Sequence, residues 1–152
     1  MRVLSAQIVI NRSPDQVFSV MTDPARAPEW LALLDRVEVV DGGPLAVGSL
    51  LRLHFTAGGR ASVQHSAVQR LDPGRAYAVA TREEGFELAV SYTITPEAPG
   101  ARVTMEVRVK PTTLSALLIY PWAAMGTRAR LADRLQRLKR VVEASPPGAE
   151  CQ

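Results

Sequence analysis

Cysteine is almost missing from this chain of 152 residues: Cys151 stands alone. No disulfide can form within the chain, which favours a reducing compartment, and no thiolate metal site can be assembled. There are two histidines, His54 and His65. They fall in different predicted strands with no matching carboxylate, a poor basis for a metal site. No apolar run approaches the roughly 18 residues that cross a bilayer, and residues 1–7 lack the apolar centre of a signal peptide. The sequence holds no Gly-x-Ser-x-Gly elbow, no phosphate-binding loop and no Gly-x-Gly-x-x-Gly fingerprint. Excess charge is small, at a formal +3, too mild to draw nucleic acid without clustering. No aromatic platform or basic strand stripe accompanies it. The expectation is a cytoplasmic protein that uses neither metal nor cofactor and does not bind nucleic acid.

What is present is a large apolar fraction, 47%, enough for one domain with a real core. The domain is expected over residues 1–144, with a flexible tail over 145–152. The dominant stretch is residues 112–144, whose only glycine is Gly126 and only proline Pro121. Leu114, Leu117, Leu118, Trp122, Met125, Ala129, Ala132, Leu135, Leu138 and Val142 recur there at helical spacing. Such a helix would be about 45 Å long and needs a cover of similar length. Pro121 predicts a kink or break, with residues 113–122 forming a mobile lip.

Ahead of that helix the period is two. Leu4, Ala6, Ile8 and Ile10 give a half-buried first strand. Ser13-Pro14-Asp15-Gln16 starts a short helix with an N-cap and a first-turn proline. Asp23-Pro24 starts a second, which carries Trp30, Leu31 and Leu34. About six strands follow, separated by turn clusters at Asp41-Gly42-Gly43-Pro44, Gly58-Gly59, Asp72-Pro73-Gly74 and Glu83-Glu84-Gly85, and by the loop Pro96 to Gly100. Short sequential loops imply an antiparallel meander. The class is α+β: one strand, two short helices, the meander and one long helix.

Ile8-Val9-Ile10-Asn11-Arg12-Ser13-Pro14-Asp15-Gln16-Val17-Phe18, the stretch from Asp23 to Trp30, Gly48-Ser49 and the terminal Leu135-Gln136-Arg137-Leu138-Lys139-Arg140-Val141-Val142-Glu143 carry a resemblance. Over nearly its whole length the chain resembles the START/Bet v 1-like (SRPBCC) superfamily, in its polyketide cyclase/dehydrase and lipid transport branch. The resemblance implies a helix-grip fold, a curved antiparallel sheet of six to seven strands wrapped around a long C-terminal helix, with a deep cavity between them. It transfers no catalytic residue set, because the superfamily spans lipid and quinone carriers, hormone receptors, cyclases and chaperone cofactors.

The alternation predicts which side chains line that cavity: Leu51, Leu53, Phe55, Val63, Val79, Phe86, Leu88, Val90, Ile94, Val103, Met105 and Val107 from the sheet. Leu118, Trp122, Met125 and Ala129 would come from the helix, with Trp30 near the mouth. A lining this apolar suits a hydrophobic small molecule; the plain alternative is a packed core. The polar inward residues are Tyr77, Tyr92 and His65. Tyr92 and His65 are the candidates for catalysis, as anchors for a ligand oxygen or a proton. His54 is expected outside.

Three functions compete on this reading. The first is binding of a lipid, quinone or polyketide-like molecule in the cavity. The second is an aromatase/cyclase or dehydratase that works by orienting a reactive chain. The third is a membrane or protein interaction module using Arg128, Arg130, Arg134, Arg137, Lys139 and Arg140 of the last helix, through peripheral membrane contact. Monomer and homodimer are both open.

Overall fold

The computed structural model describes residues 2–83 and 86–145, and the side chains of these except at 2, 83 and 114–128. The chain runs β1 (Arg2–Ile10), α1 (Pro14–Met21), α2 (Ala27–Trp30), β2 (Leu34–Val39), β3 (Leu50–Ala57), β4 (Arg60–Asp72), β5 (Ala76–Glu83), β6 (Phe86–Glu97), β7 (Gly100–Pro111) and α3 (Leu114–Ala144). The strands form one curved antiparallel sheet in the order β1-β7-β6-β5-β4-β3-β2. β2 to β7 are a meander, and β1 closes the far edge against β7. The pair of short helices carries the chain from one edge of the sheet to the other. This is the helix-grip fold, with seven strands.

Local chemistry explains the helix starts. The Ser13 hydroxyl accepts from the Gln16 amide at 3.2 Å, and Pro14 occupies the first turn of α1. Val17, Val20 and Met21 bury its inner face. The Asp23 carboxylate accepts from the Ala25 amide, but α2 is only one turn, four residues long. Leu34, expected on that helix, begins β2 instead. The chain turns extended at Leu31 and takes a left-handed φ of 65° at Leu33, which no helix can continue through.

In α3 the buried stripe is Leu131, Leu135, Leu138 and Val142. Ala129 and Ala132, expected on that stripe, are exposed. The 4-3-4 spacing of the larger side chains decides which face turns inward, because burying a leucine is worth roughly 1.5–3 kcal/mol and an alanine far less. Of the kink or break expected at Pro121, the break does not occur, since α3 is continuous from Leu114 to Ala144. The side chains expected to form a lip over residues 113–122 lie, but for Thr113, outside the described residues.

The end of α3 is tied to β1. Asn11 N donates to Glu143 Oε2 at 2.9 Å, Lys139 Nζ to the Val9 carbonyl at 2.7 Å, and the Arg12 guanidinium to the carbonyls of Glu143 and Ser145. Ser145, assigned by the sequence to the tail, is buried and its hydroxyl accepts from Arg26. The remaining tail, 146–152, lies outside the described residues. α3 therefore packs on β1, β7, α1 and α2. Among the strands, its described contacts fall on β1 and β7. No helix among the described residues is long and apolar enough to cross a membrane.

Candidate functional site: the cavity between sheet and helix

What lies over β3 to β5 is a cavity of about 410 Å³, within the range of roughly 300–1,000 Å³ usual for small-molecule sites. Most of its wall is aliphatic. Val37 and Leu53 pair across β2 and β3, while Val79 and Val90, then Val90 and Val107, pair across β5, β6 and β7. Leu45, Leu51, Phe55, Phe86, Leu88, Met105 and Val109 add to it, and Met21, Ala27, Leu31 and Leu131 close the helical side.

Of the residues named as ligand-binding candidates, Trp30, Leu53, Phe55, Tyr77, Phe86, Leu88, Val90, Tyr92 and Met105 line this space. Trp30, expected near the mouth, is instead a buried wall residue, 2% exposed. Ile94 and Val103 point inward but are packed core, not cavity wall. Leu118, Trp122 and Met125 lie outside the described side chains.

Two expected residues are on the wrong face. Val63 is 47% exposed and His65 is exposed beside Arg52 on the outer side of the sheet. The cause is register. Leu53 pairs with Gln64 and Leu51 with Ser66, so the inward set of β4 is Gln64, Ser66 and Val68. A bulge between Val68 and Arg70 then shifts the phase, and Leu71 also turns inward, opposite Tyr77. His65 therefore has no route to a ligand in this cavity. His54, on the same outer face, is bonded to Glu38 at 2.5 Å, and that bond, with Arg36 and Arg52 nearby, holds the Glu38 carboxyl below its usual pKa.

The same register brings in polar groups that the sequence reading missed. Gln64, Ser66 and Thr81 line the cavity, and the Ser66 and Thr81 hydroxyls are bonded to each other at 2.7 Å. From α3, Arg130 and Arg134 also reach the cavity. Their i, i+4 spacing puts them on one helix face, one turn apart. Arg130 is exposed and Arg134 half-buried.

Between them and the wall is an aromatic cluster. Tyr77 and Tyr92 are cross-strand partners with rings stacked 6.2 Å apart at 13°. Trp30 meets Tyr92 edge-on at 5.9 Å and 78°. Arg134 Nη1 donates to Tyr92 Oη at 3.3 Å. Burial, and secondarily the neighbouring Tyr92, raises the Tyr77 pKa well above its ordinary value, so its phenol stays protonated and remains a donor. The indole Nε1 of Trp30 is buried with no acceptor among the described residues. Among the described residues no group of three or more histidine, cysteine or carboxylate side chains could hold a metal.

Comparison with known proteins agrees with this architecture. The model of the family described as polyketide cyclase / dehydrase and lipid transport matches residues 1–143. No protein with a curated function matches the chain by sequence. Among solved structures, TTHA0849 of Thermus thermophilus superposes with a TM-score of 0.75 at 18% identity, covering 94% of this chain and 98% of that one. The di-domain ARO/CYC BexL, from the BE-7585A biosynthetic pathway, gives 0.79 at 19% identity over 96% of this chain and 48% of its own. This chain thus spans about half of that protein. Ara h 8.0201 gives 0.68 at 12% identity, covering 95% and 99%. At such identities the likeness is one of fold.

Proposed function

This chain belongs to the polyketide cyclase/dehydrase and lipid transport family, and from that premise we propose that it binds a hydrophobic small molecule in the cavity between sheet and α3. The class is a lipid, a quinone or a polyketide-like ring system. The carrying observation is the 410 Å³ space itself, walled by aliphatic and aromatic side chains. Empty apolar volume of this size would cost stability if nothing occupied it. A reducing, cytoplasmic setting is part of the proposal.

Native mass spectrometry of freshly purified protein tests it. A discrete adduct that is lost under denaturing conditions is the expected result. Apoprotein that takes up no aromatic or lipid probe would end the reading.

The second reading, an aromatase/cyclase or dehydratase, rests on the stacked Tyr77–Tyr92 pair and on the fold likeness to BexL. With His65 on the outer face, its polar anchors reduce to the tyrosines and Arg134. Tyr92→Phe would then abolish turnover while sparing ligand affinity. The basic helix as an interaction module is less favoured. Arg137 is paired with Asp133, Lys139 with Glu143, and Arg134 is turned to Tyr92.

A further inference from the structure

The cavity's polar end is one-sided. Arg134 uses one of its five N–H groups on Tyr92. Neither Arg130 nor Arg134 has a carboxylate partner among the described residues, because the acids of the same helix, Asp133 and Glu143, are taken by Arg137 and Lys139. Asp23 also borders the cavity, but its carboxylate is bonded to the Ala25 amide and pairs with neither arginine. Tyr92 accepts from Arg134, so its own hydrogen must point elsewhere. No acceptor for it, or for the Tyr77 hydroxyl, occurs among the described residues. Trp30 Nε1 is a third donor with no acceptor among the described residues. A half-buried guanidinium with no carboxylate partner among the described residues, beside the buried Trp30 N–H and two tyrosine hydroxyls free to donate, favours a ligand that supplies acceptors.

We propose that the ligand is an amphiphilic acid: an apolar body against the β3–β7 wall, and an oxyanion, of which a carboxylate is the simplest form, held by Arg134 and Arg130. The pair suits this group in particular. A guanidinium fork binds a carboxylate through two parallel hydrogen bonds, and such charge-assisted bonds are about twice as strong as neutral ones. The two arginines, one helical turn apart, can both reach the same anion, with Arg130 exposed and Arg134 half-buried. A wholly neutral lipid would leave both arginines without a partner. The inference rests on the cavity reading above and adds the charge of the ligand to it.

A matched pair of fluorescent probes separates the two claims: anthracene-2-carboxylate and its methyl ester, titrated at neutral pH into wild type, Arg130→Gln, Arg134→Gln and Arg137→Gln. Wild type should bind the acid at least about tenfold more tightly than the ester. Arg130→Gln and Arg134→Gln should each erase most of that preference by weakening the acid alone, with the ester's affinity unchanged. Arg137→Gln, whose arginine is paired with Asp133 and is not part of the cavity lining described, should keep it. Should Arg134→Gln fail to fold by circular dichroism, the exposed Arg130 carries the test. Equal binding of acid and ester by wild type, or a preference that survives the arginine substitutions, overturns the anion claim and leaves the cavity standing. Binding of neither probe overturns both.

Discussion

Ser66 and Thr81 show how much one hydroxyl pair can say about a wall. They face each other across β4 and β5, buried, each supplying what the other lacks. Removing one leaves its neighbour short of a partner, which costs about 1–3 kcal/mol, whereas removing both is close to neutral. Thr81→Val should therefore destabilise the protein in urea, and Ser66→Ala with Thr81→Val should recover most of the loss. Additive losses in that double-mutant cycle would show that the hydroxyls act independently. The pair also marks where the sequence misleads. Counting back by twos from Leu71 gives Gln69, Ala67, His65 and Val63, which puts Val63 and His65 on the face of Leu71. The bulge at Val68/Arg70 breaks that count. Only the pairing with β3, which sets Leu53 against Gln64, gives the true phase. In β6, with no bulge and five large apolar residues in series, the same count from Phe86 to Ile94 meets no such obstacle.

At the scale of elements, the join between α3 and β1 is electrostatic as well as apolar. Leu135 and Leu138, at 1% and 0% exposure, supply the apolar part. Glu143 supplies the rest: the Asn11 amide, followed by Lys139 and Arg12, lowers its pKa below the ordinary carboxylate value. A carboxyl depressed in the folded state contributes stability above its unfolded pKa, near 4.3, and loses it as pH falls through the lower folded value. Acid unfolding followed by circular dichroism should thus show a limb below about pH 4.3 that flattens in Glu143→Gln. An unchanged acid limb in that variant would mean that Glu143 does not tie the helix. The helix itself is plain in the sequence, as is its C-terminal stripe. Its rotation is less so, because Ala129 and Ala132 satisfy a helical period without having to be buried. Arg130 and Arg134 read as part of a basic solvent face. Nothing in a linear pattern distinguishes an arginine that bends toward a cavity from one that points to water.

For the whole molecule, order of elements and hairpin turns gave the α+β class and the antiparallel meander, since strands joined by short loops leave few topologies, while the helix-grip arrangement was what the family resemblance implied. The cavity was less accessible, because a packed core and a lined void share one alternation; they differ in where α3 rests on the sheet. A ligand filling that void binds only the folded state and must stabilise it. At a free concentration a hundredfold above Kd the gain is about 2.7 kcal/mol, or roughly 5–10 °C in a domain of this size. Differential scanning calorimetry with a bound acid should record that rise, and a constant melting temperature at saturation would contradict binding in the core.

The sheet order has a further consequence. β1 has one strand neighbour, β7, and Leu4 lies opposite Val107. β2 to β6 can zip together from adjacent hairpins as they leave the ribosome. β1 must wait, at about 5–20 residues per second, on the order of ten seconds for its mate. Until then its amides and its apolar face are offered to chaperones and to other nascent chains, so the sheet's most aggregation-exposed segment during translation is the earliest of its strands to be made.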